Sequence, residues 1–153
     1  MILGLGCDIV HLPRITALLS RTRAKDCALP LNAPVLVHQA RVDHFASFIF
    51  GGTESSEMKA FQAAFGKRDE SRERTQRLTR YLASRFAVKE ACFKAMYLHY
   101  SLQWADVVIS RSERGKPEVS LSKHITEKLG PISSHVSISH DGEYAMATVI
   151  FEK

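Results

Sequence analysis

Residues 79–99, TRYLASRFAVKEACFKAMYLH, constrain the fold more than any other stretch. Apolar residues recur through it at helical spacing, which predicts one long helix. Charges also stand inside the apolar stripe, where an amphipathic helix normally keeps none. With about 100° per residue and Glu90 at zero, Ala83, Phe86, Ala87, Phe93, Lys94 and Tyr97 lie within about 60° of it. Glu90 is therefore expected on the buried face, with Lys94 one turn further along. A buried ion is costly unless something pairs with it. Two arrangements meet that demand. One is an i,i+4 Glu90–Lys94 pair at the edge of the core. The other has Glu90 holding a cation and Lys94 an anion, as at a metal–phosphate site.

A chain of 153 residues fits one domain and can bury a proper core. At 45% hydrophobic and 24% charged residues it is globular in composition, not disordered. No apolar run approaches the roughly 20 residues that span a bilayer, so no membrane segment is expected. The start of the sequence lacks a basic n-region and a cleavable apolar stretch, and does not read as a secretion signal. Cys7, Cys27 and Cys92 are odd in number and lack metal-site spacing, which suits reduced thiols inside a cell. The net charge of +5 favours a polyanionic partner: nucleic acid, a phosphorylated cofactor or an acidic protein. The sequence has no aromatic RNA-binding motif, zinc finger, basic zipper or repeat, which argues against nucleic acid.

MILGLGCDIV, residues 1–10, predicts a buried first strand. Ile2, Gly4, Gly6, Asp8 and Val10 share one face, and the two glycines leave room for close approach by a helix or ligand. Asp8 either caps the next turn or serves a site. PRITALLSRTRAK then predicts a helix with Pro13 in its first turn. Leu12, Ile15 and Leu19 form its apolar side, and Arg14, Arg21 and Lys25 a basic strip. That strip is a solvated face or a docking surface for an acidic helix. Residues 26–44 carry two prolines and little periodicity, and predict a loop. HFASFIF follows at 44–50, stopped by Gly51 and Gly52. A short helix is expected from Thr53, with Ser56 and Glu57 in its first turn. The charged stretch 66–77, whose basic residues include Lys67, Arg68, Arg72 and Arg74, is expected to be exposed or to reach a phosphate. Strands are predicted at 106–112 and 117–121, joined by ERGK. A helix follows at 122–130 with Ser122 as cap and Gly130 as stop. Residues 135–140 and 144–152 form a hairpin across Asp141-Gly142.

Three blocks in order tie these pieces together: GLGCDIVHLPRI at 4–15, LASRFAVKEACFKA at 82–95 and VSISHDGEYAMATVI at 136–150. RGKP at 114–117 is a weaker fourth. In these blocks the chain resembles the holo-acyl-carrier-protein synthases, the small 4′-phosphopantetheinyl transferases. The resemblance implies an α+β fold, a single domain over 1–153 with a mostly antiparallel sheet packed on a long central helix. It implies transfer of 4′-phosphopantetheine from coenzyme A to a serine of an acyl carrier protein, releasing 3′,5′-ADP, in fatty acid biosynthesis. Asp8 and Glu90 match the family's two metal-binding acids, with Mg²⁺ the usual ion, and Lys94 would hold the transferring phosphate. Glu90 or a water on the metal would take the serine proton. Arg85, Lys89, Gly115, Lys116, Pro117, Ser139, His140 and Asp141 fall on positions resembling coenzyme A contacts, with Arg85 and His140 the candidates for its 3′-phosphate. Lys89, about 100° round from Glu90, is alternatively a solvated lysine. The basic strip Arg14, Arg21 and Lys25 matches where the family docks its carrier.

The family is typically trimeric, with a site at each subunit seam. The sequence departs from it between about 22 and 80, which is longer and insertion-rich. The family's phenylalanine-threonine-x-x-glutamate turn is interrupted by Gly51 and Gly52, which puts any role for Thr53, Glu54 or Glu57 in doubt. Such insertions suggest a eukaryotic stand-alone member in the mitochondrial matrix; otherwise the location expected is the cytoplasm. Two rival readings differ in class. A nucleic-acid-binding module would need neither Mg²⁺ nor coenzyme A. A non-catalytic carrier-binding protein would have lost Asp8, Glu90 or Lys94, and all three are present.

Overall fold

The computed structural model describes residues 1–20, 37–52, 55–65 and 71–153. Strand β1 (Ile2–His11) leads directly into helix α1 (Leu12–Ser20). Helices α2 (Gln39–Ile49), α3 (Ser56–Phe65) and the long α4 (Arg72–Met96) follow. A 3₁₀ turn at Trp104–Asp106 opens strand β2 (Val107–Arg111), which pairs with β3 (Pro117–Leu121). Helix α5 (Lys123–Leu129) precedes β4 (Ser133–Asp141) and β5 (Tyr144–Glu152). The main sheet has the order β1-β5-β4, antiparallel throughout, so β1 and β4 are its two edges.

One face of this sheet lies on α4. The two glycines expected to admit a close neighbour do so. A Cβ on Gly6 would stand 1.9 Å from the carbonyl oxygen of Ala91, and one on Gly4 1.9 Å from that of Ala95. The inner face continues through Val10, Val136, Ala145, Ala147, Val149 and Phe151, all buried. Alternation places Leu5, Ile9, Tyr144 and Met146 on the opposite face, where they remain exposed. Ile15 and Leu19 bury the apolar side of α1 as expected. Phe50, Phe61, Phe65 and Tyr81 stack into an aromatic flank with centroids 5.2–6.5 Å apart.

Four expectations need correction. Helix α4 begins at Arg72, inside the charged stretch for which no helix was expected. Ser71 caps it by accepting from the Arg74 amide, and Thr75, Leu78 and Leu82 bury at i, i+3 and i+7. Its end is Met96, short of His99, where the His99 and Tyr100 amides both donate to the Met96 carbonyl. Residues 39–44 are helical, not loop, because Val42, Ala46 and Ile49 repeat at i, i+4 and i+7 onto the core. The rest of that predicted loop up to residue 36 lies outside the described residues. The final hairpin exists, but its two-residue loop is Gly142-Glu143, one position later, between the paired Asp141 and Tyr144. Gly142 there takes φ +51°, the left-handed value a tight hairpin loop needs. Thr53 lies outside the described residues, and Ser55 instead receives the Met58 amide at the start of α3.

Candidate active site

The seam between β1 and α4 carries the strongest chemistry. Asp8 is on the inner face of β1, on the same side as the glycines that let α4 approach. The Lys94 ammonium donates to Asp8 Oδ1 at 2.8 Å and to the Cys7 carbonyl at 2.9 Å. This is the ion pair that forms, in place of an i,i+4 Glu90–Lys94 pair. The Lys94 side chain is 51% exposed and that of Asp8 15%, so the pair sits at an open edge. Glu90 is half-buried rather than deep. Helix α4 is sealed nearly all round from Leu78 to Cys92, and its Glu90 face opens only toward the C-terminal end, at Lys94 and Tyr97. Burial pushes the Glu90 carboxyl above its ordinary pKa, the Asp8 charge adds to this, and Lys94 opposes it. Two neighbouring acids beside a lysine form a site suited to a shared cation and an anion.

A second cluster lies toward the β4 edge. A cavity of about 420 Å³ is lined by Arg77, Arg80 and Arg85 of α4, Arg111 of β2, Pro117 of β3 and His140 of β4, with Tyr81, Ser84, Phe65 and Ile138. Arg85 is 7% exposed and its guanidinium lies 4.0 Å from the centroid of the Tyr81 ring. Burial pulls the Arg85 pKa down, Tyr81 opposes this, and Arg111 adds to it. Such a concentration of positive charge in a concave site fits a phosphate-bearing ligand.

The structure therefore brings Arg85, Pro117 and His140 together and leaves the other proposed contacts apart. Gly115 and Lys116 occupy the exposed β2–β3 turn next to Pro117, where Gly115 takes φ +81°. Ser139 and Asp141 alternate away from His140 onto the exposed outer face. Lys89 contradicts both of its readings, as a coenzyme A contact and as a solvated lysine. It is 0% exposed, donating to Glu57 Oε2 at 3.0 Å and to the Trp104 carbonyl at 2.9 Å. Burial pushes the Glu57 pKa up and that of Lys89 down, each against the attraction of its partner. Glu57 thus has a structural partner that its interrupted motif did not suggest. Arg14 is exposed on α1, while Arg21 and Lys25 lie outside the described residues.

Sequence reading named none of Arg77, Arg80 and Arg111 individually, although Arg77 closes the basic stretch read as able to reach a phosphate. The signal was there for two of them. Arg77, Arg80, Tyr81, Ser84 and Arg85 recur at i, i+3, i+4, i+7 and i+8, one continuous helical stripe. Arg111 reaches the cavity only through tertiary packing. Among the described residues, no group of three or more His, Cys, Asp or Glu side chains is placed to hold a metal, and no helix is long and apolar enough to cross a membrane.

Known proteins resemble this chain in sequence and fold. The family model of the 4′-phosphopantetheinyl transferase superfamily matches residues 4–149. A holo-[acyl-carrier-protein] synthase of Vibrio campbellii is 37% identical over 156 residues, covering 99% of this chain and 98% of its own length. The 4′-phosphopantetheinyl transferase B, mitochondrial, of Aspergillus fumigatus is 33% identical over 153 residues, covering 97% and 92%. A crystal structure of a holo-(acyl-carrier-protein) synthase from Bacillus anthracis in complex with CoA (3′,5′-ADP) superposes with a TM-score of 0.60. It is 28% identical and covers 99% of this chain and 96% of its own. With the sheet and the long helix in place and the family model matching nearly the whole length, the chain belongs to the 4′-phosphopantetheinyl transferase superfamily.

Proposed function

We propose that this protein is a holo-acyl-carrier-protein synthase that moves 4′-phosphopantetheine from coenzyme A to a serine of an apo carrier protein. The observation that carries the reading is the β1–α4 seam: Lys94 bonded to Asp8, with Glu90 close enough for the Asp8 charge to act on it. Two carboxylates, with substrate oxygens and waters completing the shell, suit Mg²⁺, which demands few protein ligands. Asp8 and Glu90 would hold that ion, and it would supply charge neutralisation on the pyrophosphate.

The chain's own residues do the rest. Lys94 pairs with Asp8 at rest and turns its ammonium to the transferring phosphate when substrate enters, a short move for a half-exposed side chain. The arginine cavity with His140 takes the 3′-phosphate end of coenzyme A. The carrier serine oxygen bonds to the β-phosphorus as the bond to 3′,5′-ADP breaks, and the leaving group keeps the electron pair. The serine proton passes to Glu90 or to water beside it. Positioning and electrostatics supply most of the rate.

Asp8 and His140 belong to opposite edge strands of one sheet. A head-to-tail contact between copies would set one subunit's β1 edge beside the next one's β4 edge, and a closed ring of such contacts is consistent with a homotrimer. The exposed outer sheet face, with Leu5 and Ile9 each 62% exposed, is the kind of apolar surface such an assembly covers. Arg14 would steer the acidic carrier. The mitochondrial matrix is the compartment favoured in a eukaryotic cell, in keeping with the name of the fungal relative, and the cytoplasm in a bacterial one.

The test is intact-mass analysis of apo carrier protein incubated with the enzyme, coenzyme A and Mg²⁺. A gain of one phosphopantetheine that chelator abolishes is expected. No gain across several carriers, with no coenzyme A binding by calorimetry, would overturn the reading.

A further inference from the structure

Glu90 sits between two unlike walls. On one side of α4, about 40° round, are Lys94 and, bonded to it, Asp8. On the other, about 40–60° round, are Phe86 and Phe93. The Trp104 indole spans those two rings, with centroids 5.3 Å from Phe86 and 5.0 Å from Phe93. Phe48 covers the indole from outside at 4.7 Å. Trp104 therefore lies against the turn that carries Glu90. It is not part of α4; it belongs to the 3₁₀ turn before β2, and its position depends on whatever ties that turn to the helix. The tie is Lys89. Its buried ammonium joins Glu57 of α3 to the Trp104 carbonyl.

We propose that Lys89 and Glu57 are positioning residues for the transfer reaction: their buried pair holds Trp104 against the Glu90 turn, so that the aromatic wall keeps the Glu90 carboxylate directed toward Asp8. The physical need is clear. Two carboxylates side by side repel, and an unrestrained glutamate would swing away from the aspartate. The swing on that side leads against the Phe86 and Phe93 rings, which offer a carboxylate no hydrogen-bond donor and cost it hydration. Consecutive residues on α4 thus divide the labour. Lys89 reaches inward to place the wall, and Glu90 stands in front of it. The proposal rests on the synthase reading above for its catalytic consequence, while the anchoring itself has an independent readout.

Trp104 is the only tryptophan in the chain, so its emission reports the wall alone. The decisive variant is Lys89→Met with Glu57→Leu, which removes the anchor without leaving a charge unpaired. Melting, tryptophan emission, and kcat and KM for coenzyme A are measured on it, on Trp104→Phe, on Trp104→Ala and on Leu19→Ala, a buried residue of α1. The anchor variant should shift the emission to the red and lower kcat about tenfold or more, with KM for coenzyme A changed by less than about threefold. Trp104→Phe should retain most of the kcat that Trp104→Ala loses. Leu19→Ala should melt earlier yet keep its kcat at temperatures where it is folded. Unshifted emission, or full kcat in the folded anchor variant, overturns the proposal. So does a kcat loss that follows melting temperature across all variants. Should the anchor variant not fold, the Trp104→Phe and Trp104→Ala pair decides by the same kcat criterion. Should the wild type transfer nothing, the synthase reading fails and the catalytic role with it, and the emission shift alone then decides the anchoring.

Discussion

Lys89 and Lys94 stand on neighbouring turns of α4 and form ion pairs of opposite character. The Lys89–Glu57 pair has side chains 0% and 7% exposed, and the Lys94–Asp8 pair 51% and 15%. The first is shut inside the protein with a backbone carbonyl as its third member. No substrate reaches it, and its energy is spent on holding three elements in one geometry. The second stands at an open edge with water on one side, and its lysine can exchange a carboxylate for a phosphate at little cost. Similar chemistry serves architecture in one place and, in the proposed mechanism, catalysis in the other, and burial decides which. The contrast also shows why a lysine beside the proposed catalytic glutamate is not itself a ligand contact by virtue of its sequence position.

The sharpest break in the comparison is in stability. Glu57→Gln alone leaves a buried ammonium without its counter-charge and should cost about 3–5 kcal/mol, read from denaturant unfolding. Glu57→Leu combined with Lys89→Met should recover much of that. Asp8→Asn, at the open pair, should cost under about 1 kcal/mol of stability. Activity should divide the other way. Glu90→Gln should keep the melting temperature within a few degrees while lowering transfer by about 10²-fold or more. A smaller effect belongs to the arginine cavity. Arg85→Gln should weaken coenzyme A binding about tenfold and dephospho-coenzyme A far less, by calorimetry with both ligands. Arg14→Glu with Arg21→Glu should lower carrier affinity, most at low salt, with coenzyme A binding little changed. Equal loss of both would mean that the strip is structural or lines the cofactor site. The mildest probe uses Cys92, which burial pushes up to about 12, with Lys89 opposing. At a pH of about 8.5, near the free-thiol value, Cys92 should resist alkylation in the native state and react on unfolding. Rapid native alkylation of Cys92 would show that the Lys89 side of α4 is not sealed.

Local patterns made much of this legible. Period-two alternation placed Asp8 with Gly4 and Gly6, and those glycines do face α4. Helical spacing found most of α4, the apolar side of α1 and the final hairpin. The failures share a cause. Glu90 was expected in the core because a helical wheel treats a helix as buried along one uniform stripe, whereas α4 runs from a sealed middle to an open end. Lys89 was read as solvated or ligand-facing because its partners, Glu57 and the Trp104 carbonyl, are distant in sequence. Arg111 had no local signal, since it joins Arg85 only when β2 folds beside α4. Helix α2 was hidden by prolines just upstream, although Val42, Ala46 and Ile49 carried its period.

The most direct measurement follows the transfer rate as Mg²⁺ is raised, in wild type and in Glu90→Gln, with coenzyme A and apo carrier saturating. If Asp8 and Glu90 together hold the ion, wild type should reach its plateau at lower Mg²⁺, and the variant should need far more metal or never reach that rate. Identical curves with full activity in the variant would contradict the assignment of the β1–α4 seam as the active site.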